Sequence, residues 1–134
     1  VSNDTPFIVL SKDTVDSKDK FFYHKTTRRQ FYQSQLHDYK NRYGCHDVIF
    51  KNEKGELTEG SYTNLFIKKD DVFYTPPIES GLLEGVYRQS ILNSELVKTK
   101  EKILFVEDLE SADEVFVSNA VRGLQKVNFQ LILG

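Results

Sequence analysis

Between Asp47 and Thr75 short apolar runs alternate with turn signals, and this stretch constrains the chain more than any other. Asp47-Val48-Ile49-Phe50 reads as a strand, Asn52 to Gly55 as a turn with Lys54-Gly55 at its tip, and Glu56 to Glu59 as the returning strand. Asn64 to Ile67 and Val72 to Thr75 read as two more strands joined by a charged turn, and Pro76-Pro77 closes the run. Such a run needs a sheet to complete it.

The flanks supply the rest. Pro6 to Leu10 reads as a buried strand after a polar linker, Val1 to Thr5, and Ser11 to Lys20 reads as a loop. Phe21 to Lys25 is expected as a second strand. From Thr27 to about Tyr43 the spacing predicts a helix, with Tyr32, Leu36, Tyr39 and Tyr43 on one stripe and Gly44 past its end. Gly81 to Gly85 reads as a loop, followed by a helix from Val86 to Val97 with Val86, Ile91 and Leu92 facing the core. Lys102 to Val106 reads as a strand, Asp108 to Ala112 as one helical turn, Glu114 to Ser118 as a strand, and Lys126 to Leu133 as the last strand after a break at Gly123. The pattern is a strand-rich α+β domain with two main helices.

Composition narrows the function classes. The chain has 134 residues, enough for one domain with a core, and a net charge of −2 gives no electrostatic case for nucleic acid or an anionic membrane surface. No apolar run reaches the length of a membrane span. The one cysteine, Cys45, cannot form an internal disulfide, and this agrees with a reducing, cytoplasmic setting. Cys45-His46 has no second such pair and makes a poor metal site. The chain holds no methionine and opens at Val1, so it reads as a domain of a longer protein.

Four stretches carry chemistry. In His24-Lys25-Thr26-Thr27-Arg28-Arg29 a lysine follows an aromatic run, where partial desolvation lowers an amine's proton affinity and makes it a nucleophile or base. Thr58-Glu59-Gly60-Ser61-Tyr62-Thr63-Asn64 is a polar corner in which hydrogen-bond donors surround a glutamate. Gly81-Leu82-Leu83-Glu84-Gly85-Val86-Tyr87-Arg88 opens a helix, where free N–H groups suit an anion, although it is not a Walker loop. In Val117-Ser118-Asn119-Ala120-Val121-Arg122-Gly123 a strand enters a polar turn, and Arg122 is of a type that binds carboxylates. Each stretch also has a plain structural reading: a solvated surface lysine, a tight turn, an ordinary helix start, a surface arginine.

In this order the four resemble the motifs of the fold-type IV pyridoxal-phosphate enzymes, the class IV aminotransferases, over nearly the whole chain from Phe21 onward. Within that family His-Lys-Thr-Thr-Arg-Arg followed by an aromatic is most similar to the 4-amino-4-deoxychorismate lyase domain, in the version fused to component I of para-aminobenzoate synthase. The resemblance implies the large C-terminal domain of that fold, with residues 1–20 as linker and first strand and 21–134 as the cofactor-binding domain. It implies pyridoxal 5′-phosphate as cofactor, Lys25 as its Schiff-base lysine and Glu59 as the partner of the pyridine nitrogen. Gly85, Val86, Tyr87, Asn119 and Ala120 would surround the phosphate and cofactor, with Ser61 and Asn64 shaping the corner. Many relatives have threonine where Tyr87 stands. Arg122 is a candidate for the substrate carboxylate, and no metal is implied. The implied reaction gives 4-aminobenzoate and pyruvate in folate biosynthesis. Alternatives are a branched-chain or D-amino acid aminotransferase, or a domain that binds the cofactor without efficient turnover. The resemblance also implies a small-molecule substrate, a homodimer, and a smaller N-terminal domain that this chain lacks.

Overall fold

A computed structural model describes residues 5–18, 25–82 and 85–131, with backbone only at 25–27. Within these residues eight strands form one sheet: β1 (Phe7–Val15), β2 (Asp47–Asn52), β3 (Leu57–Gly60), β4 (Asn64–Lys69), β5 (Val72–Thr75), β6 (Thr99–Glu101), β7 (Glu114–Asn119) and β8 (Gly123–Gln130). Among the described residues three helices accompany them: α1 (Lys25–Tyr43), α2 (Val86–Leu92) and α3 (Val106–Ser111), with a short 3₁₀ turn at Ile78–Ser80. The strand-rich α+β class is as the sequence predicts.

The strand order is β3-β2-β1-β8-β7-β4-β5-β6. β1 runs parallel to both β2 and β8, and β5 is parallel to β6; the remaining pairs are antiparallel. β3 and β4 stand five places apart in this order, yet only Ser61–Thr63 connects them. A flat sheet would separate them by about 24 Å. The connection reaches no more than about 14 Å. The sheet must therefore curl, and its edge at β3 comes to lie beside β4.

Curling produces two apolar clusters, divided by the period of two along the strands. Ile8, Ile49, Leu57, Leu65, Val117 and Val127 pack with Leu104 and Leu109 on one side. Val9, Val48 and Phe50 face the other way and meet Tyr32 of α1, with Phe31, Leu36 and Tyr39 packed around them. Tyr32 stacks on Phe50 with ring centroids 4.6 Å apart. α1 ends where Gly44 takes a left-handed conformation (φ 71°) and returns its N–H to the Lys40 carbonyl.

Several expected elements differ. β1 continues through Val15, into the stretch expected as a loop, because it pairs with β2 as far as Asn52. Lys25 begins α1 instead of ending a strand, and the rest of that expected strand, 21–24, lies outside the described residues. α2 stops at Leu92 rather than Val97, where Ser94 offers the backbone a competing partner: its hydroxyl accepts the Leu96 N–H at 3.1 Å. Leu96 thus lies beyond the helix and is 95% exposed; Val86, at its first position, is 87% exposed, and of the expected core positions Val86, Ile91 and Leu92, Ile91 is the one that is buried. The expected strand at 102–106 is displaced to Thr99–Glu101, beside β5. Val106 instead begins α3, since the Asp108 carboxylate accepts the Phe105 N–H at 2.7 Å. Gly123 does not break the chain: it opens β8, which ends at Gln130, before the expected Leu133. Residues 132–134 lie outside the described residues.

These placements set a stability contrast. Phe50→Ala removes a wholly buried ring and is expected to cost about 3–5 kcal/mol in denaturant unfolding. Leu96→Ala, at a position within the expected helix but 95% exposed, should stay within about 0.5 kcal/mol of the parent.

Candidate active site

The corner between β3 and β4 is built on Asp47, which is wholly buried. Its Oδ1 accepts the N–H groups of Val48 (2.7 Å) and Ser61 (3.1 Å) and the Ser61 hydroxyl, and its Oδ2 accepts the Thr63 hydroxyl at 2.6 Å. Burial pushes the Asp47 carboxyl up, and these four hydrogen bonds pull it back down. Gly60 passes so close that a Cβ there would overlap the Asp47 carboxylate and the Thr63 hydroxyl. Only glycine fits at that position.

The corner aims Glu59 at α1. Glu59 is 6% exposed, and its Oε2 receives the Arg28 Nε–H (3.1 Å), Arg28 Nη2 (3.0 Å) and the Tyr32 hydroxyl (2.8 Å). Arg28 and Tyr32 are four residues apart, so both reach the same carboxylate from one face of α1. Arg28 is 1% exposed and also donates through Nη2 to the Gly81 carbonyl. Burial and the nearby Glu59 charge hold the Tyr32 phenol far above its ordinary range, so it remains a donor. A cavity of about 370 Å³ opens over this network, lined by Arg28, Arg29, Tyr32 and Gln33 of α1, by Glu59 to Asn64, and by Gly85.

The residues singled out in the sequence divide into three groups. Glu59, Ser61, Asn64 and Gly85 share the cavity. A Cβ at Gly85 would stand 2.8 Å from the Asn64 side-chain oxygen, so the glycine keeps that wall open. Val86, Tyr87, Asn119, Ala120 and Arg122 are not among its lining residues. Val86, Ala120 and Arg122 are exposed. Tyr87 leans toward the β7–β8 turn, where a Cβ on Gly123 would meet its hydroxyl at 3.1 Å. Asn119 turns its side-chain oxygen back onto the N–H groups of Val121 (3.0 Å) and Arg122 (2.8 Å) and so shapes that turn. Arg122 acts electrostatically on His46 and on Tyr62, which lines the cavity. Lys25 opens α1 one turn before Arg28 and Arg29; its side chain lies outside the description.

Sequence reasoning missed Arg28, Arg29, Tyr32, Gln33 and Asp47 as site residues. The i,i+4 spacing of Arg28 and Tyr32, opposite a glutamate in a polar corner, is the signal that could have found two of them.

The arrangement fits a flat cationic heterocycle. A buried carboxylate held by a guanidinium and a phenol is a partner for a protonated ring nitrogen. Hydroxyl and amide groups line the floor beside it, and two glycines leave room where side chains would collide.

Comparison with known proteins agrees with this chemistry. The chain is 37% identical over 89 residues to the branched-chain-amino-acid aminotransferase of Escherichia coli, an alignment covering 64% of this chain and 29% of that protein. The solved structure of the Escherichia coli branched-chain amino acid aminotransferase superposes with a TM-score of 0.83 at 25% identity, covering 96% of this chain and 45% of that one. A Legionella pneumophila protein provisionally named 4-amino-4-deoxychorismate lyase shares the fold, with a TM-score of 0.79 at 23% identity over 98% of this chain and 49% of that one. The chain thus spans less than half the length of these relatives. Structures of this fold have been solved with pyridoxal phosphate and pyridoxamine 5′-phosphate. The sequence pattern described as amino-transferase class IV matches residues 2–128, and the chain belongs to the class IV aminotransferase family.

Proposed function

We propose that this chain is the cofactor-holding part of a pyridoxal-phosphate enzyme acting on an amine that bears carboxylates, with 4-amino-4-deoxychorismate lyase as the leading reading. The observation that carries the cofactor assignment is Glu59, buried at the cavity wall with Arg28 and Tyr32 on one of its oxygens. Lys25 would hold the cofactor covalently, Glu59 its ring nitrogen, and the backbone at Gly85 its phosphate; Val86, Tyr87 and Ala120, which stand outside the cavity lining, join that set only through the family resemblance. Bound pyridoxal phosphate supplies an electron sink for the bonds at the carbon carrying the substrate amine. Once the substrate amine has displaced it, the free Lys25 amine would take the proton from that carbon and return one to the departing enol of pyruvate. Glu59 keeps its negative charge beside the ring nitrogen, and Tyr32 holds the carboxylate in place by its hydrogen bond.

The lining of the cavity favours the lyase reading. Arg29, Gln33 and Tyr62 stand exposed in the cavity lining, and the Arg29 guanidinium is of a type that pairs with a substrate carboxylate. The second reading, a branched-chain aminotransferase, rests on the names of several curated relatives, among them the Escherichia coli protein. Release of pyruvate with no keto-acid acceptor present separates the two. A cytoplasmic homodimer with an upstream smaller domain belongs to the same proposal.

Three outcomes follow from this assignment. Borohydride reduction of the loaded chain should fix a pyridoxyl group on the peptide containing Lys25; adducts spread across surface lysines in mass spectra would sink the role given to it. Glu59→Gln should retain most cofactor binding while turnover falls by about two orders of magnitude or more, and a fully active variant would contradict the assignment. If an upstream domain adds a charged hydrogen bond to the phosphate, a chain extended by about a hundred residues should bind the cofactor roughly ten- to a hundred-fold more tightly than this one. Equal affinities in equilibrium titration would remove that domain from the site.

A further inference from the structure

We infer that Arg28 is a positioning residue: it fixes Glu59 in the carboxylate form, and thereby decides on which atom the proton shared between Glu59 and a bound ring nitrogen rests. The inference rests on the reading that the cavity takes pyridoxal phosphate, and it concerns a side chain that the sequence motifs left without a role.

A carboxyl group taken out of water favours its neutral form unless charge and hydrogen bonds oppose this. Glu59 is nearly buried, so its ionisation depends on its neighbours. Arg28 presents two N–H groups to Oε2, at 3.1 and 3.0 Å, and a guanidinium does not give up its proton in a protein. Tyr32 adds a third donor, held protonated, on the same oxygen. Arg28 is itself confined: it is buried, its Nη2 also reaches the Gly81 carbonyl, and its guanidinium carbon lies 5.6 Å from the centroid of the Tyr32 ring. Gly81 has a φ of 115°, a conformation that favours glycine, so the backbone that anchors Arg28 is specialised for that position.

The consequence concerns one proton. Between a carboxylate and a pyridine nitrogen the proton rests on the more basic of the two. A positive charge about 3 Å from the carboxylate lowers its basicity more than that of a ring nitrogen on its far side, because the interaction falls with distance. Arg28 therefore moves the proton to the ring. Arg29 and Tyr62 also line the cavity, and Asp47 stands behind the corner. Arg29 and Tyr62 are exposed, so solvent screens them more than it screens Arg28. Asp47 has its charge taken up by its own four donors.

The test uses Arg28→Met, Arg28→Gln and Arg28→Lys, with Glu59→Gln as reference. Each variant is loaded with pyridoxal phosphate labelled with ¹⁵N in the ring, and the ring nitrogen is read by NMR. The parent and Arg28→Lys should show a protonated ring nitrogen, while Arg28→Met and Arg28→Gln should shift to the unprotonated range, as in Glu59→Gln. A ring that stays protonated in both uncharged variants overturns the inference. A second measurement needs no cofactor. With ¹³C-carboxyl glutamate, and Glu59 assigned by its loss in Glu59→Gln, the Glu59 signal should titrate about one pH unit or more higher in Arg28→Gln than in the parent. Identical titrations overturn the inference as well. If the parent takes up no pyridoxal phosphate, the functional reading falls, and the cofactor-free titration still decides the role of Arg28.

Discussion

The three-residue corner at Ser61–Thr63 is the constraint on which the rest of the molecule depends. It joins strands five places apart, so the sheet has no choice but to curl. Asp47 makes the corner possible by gathering four donors onto a carboxylate that has lost contact with water. Hydrogen bonds to a charged acceptor are stronger than neutral ones, and a buried charge without them would be costly. The absent side chain at Gly60 lets the backbone close over this carboxylate. Fold and site thus share one device: the turn that curls the sheet is also the turn that presents Glu59.

The second carboxylate works under a different balance. The Arg28–Glu59 pair is buried on both sides, and such pairs seldom add net stability over a well-packed apolar replacement, although breaking one by removing a partner costs about 3–5 kcal/mol. A pair of this kind beside a cavity is therefore better explained by what it does to the cavity than by what it adds to folding. The other buried arginine offers a contrast. Arg88 pairs with Glu101 at 2.5 Å and with the Pro76 carbonyl at 2.9 Å, away from the cavity, where it ties α2 to the ends of β5 and β6. Similar side chains at similar burial serve a structural tie in one place and an electrostatic field in the other, and the surroundings decide which.

Much of the fold was legible in the sequence. The strands at 47–52, 57–60, 64–69, 72–75 and 114–119 follow from short apolar runs and turn residues, and α1 follows from its stripe. The misreadings occurred where a non-local partner overrode a local pattern. β1 outlasts its apolar run because β2 supplies hydrogen bonds as far as Val15, whose polar neighbours gave no hint of a strand. Val86 reads as a core residue from its apolar side chain, but at the first position of α2 it is 87% exposed. In the site, Glu59, Ser61 and Asn64 were visible because glycine and small hydroxyl residues mark a tight polar corner, and Gly85 because it closes a glycine-bounded loop before a helix. Arg28 and Tyr32 were hidden in the helix pattern. One read as part of a basic run and the other as part of an apolar stripe.

Taken alone, the sequence determined the element types, the position of the polar corner and the family, because each is carried by residues close together in the chain. It could not determine that Tyr32 faces a carboxylate as well as Phe50, or that Arg28 is buried while Arg29 lies exposed. These depend on where α1 lies across the curled sheet, and the curl is fixed by pairing between strands far apart in sequence. Only the tertiary structure brings the two arms of the site within 3 Å of each other, since Arg28 and Glu59 are separated by thirty-one residues and meet through the packing of α1 on β2.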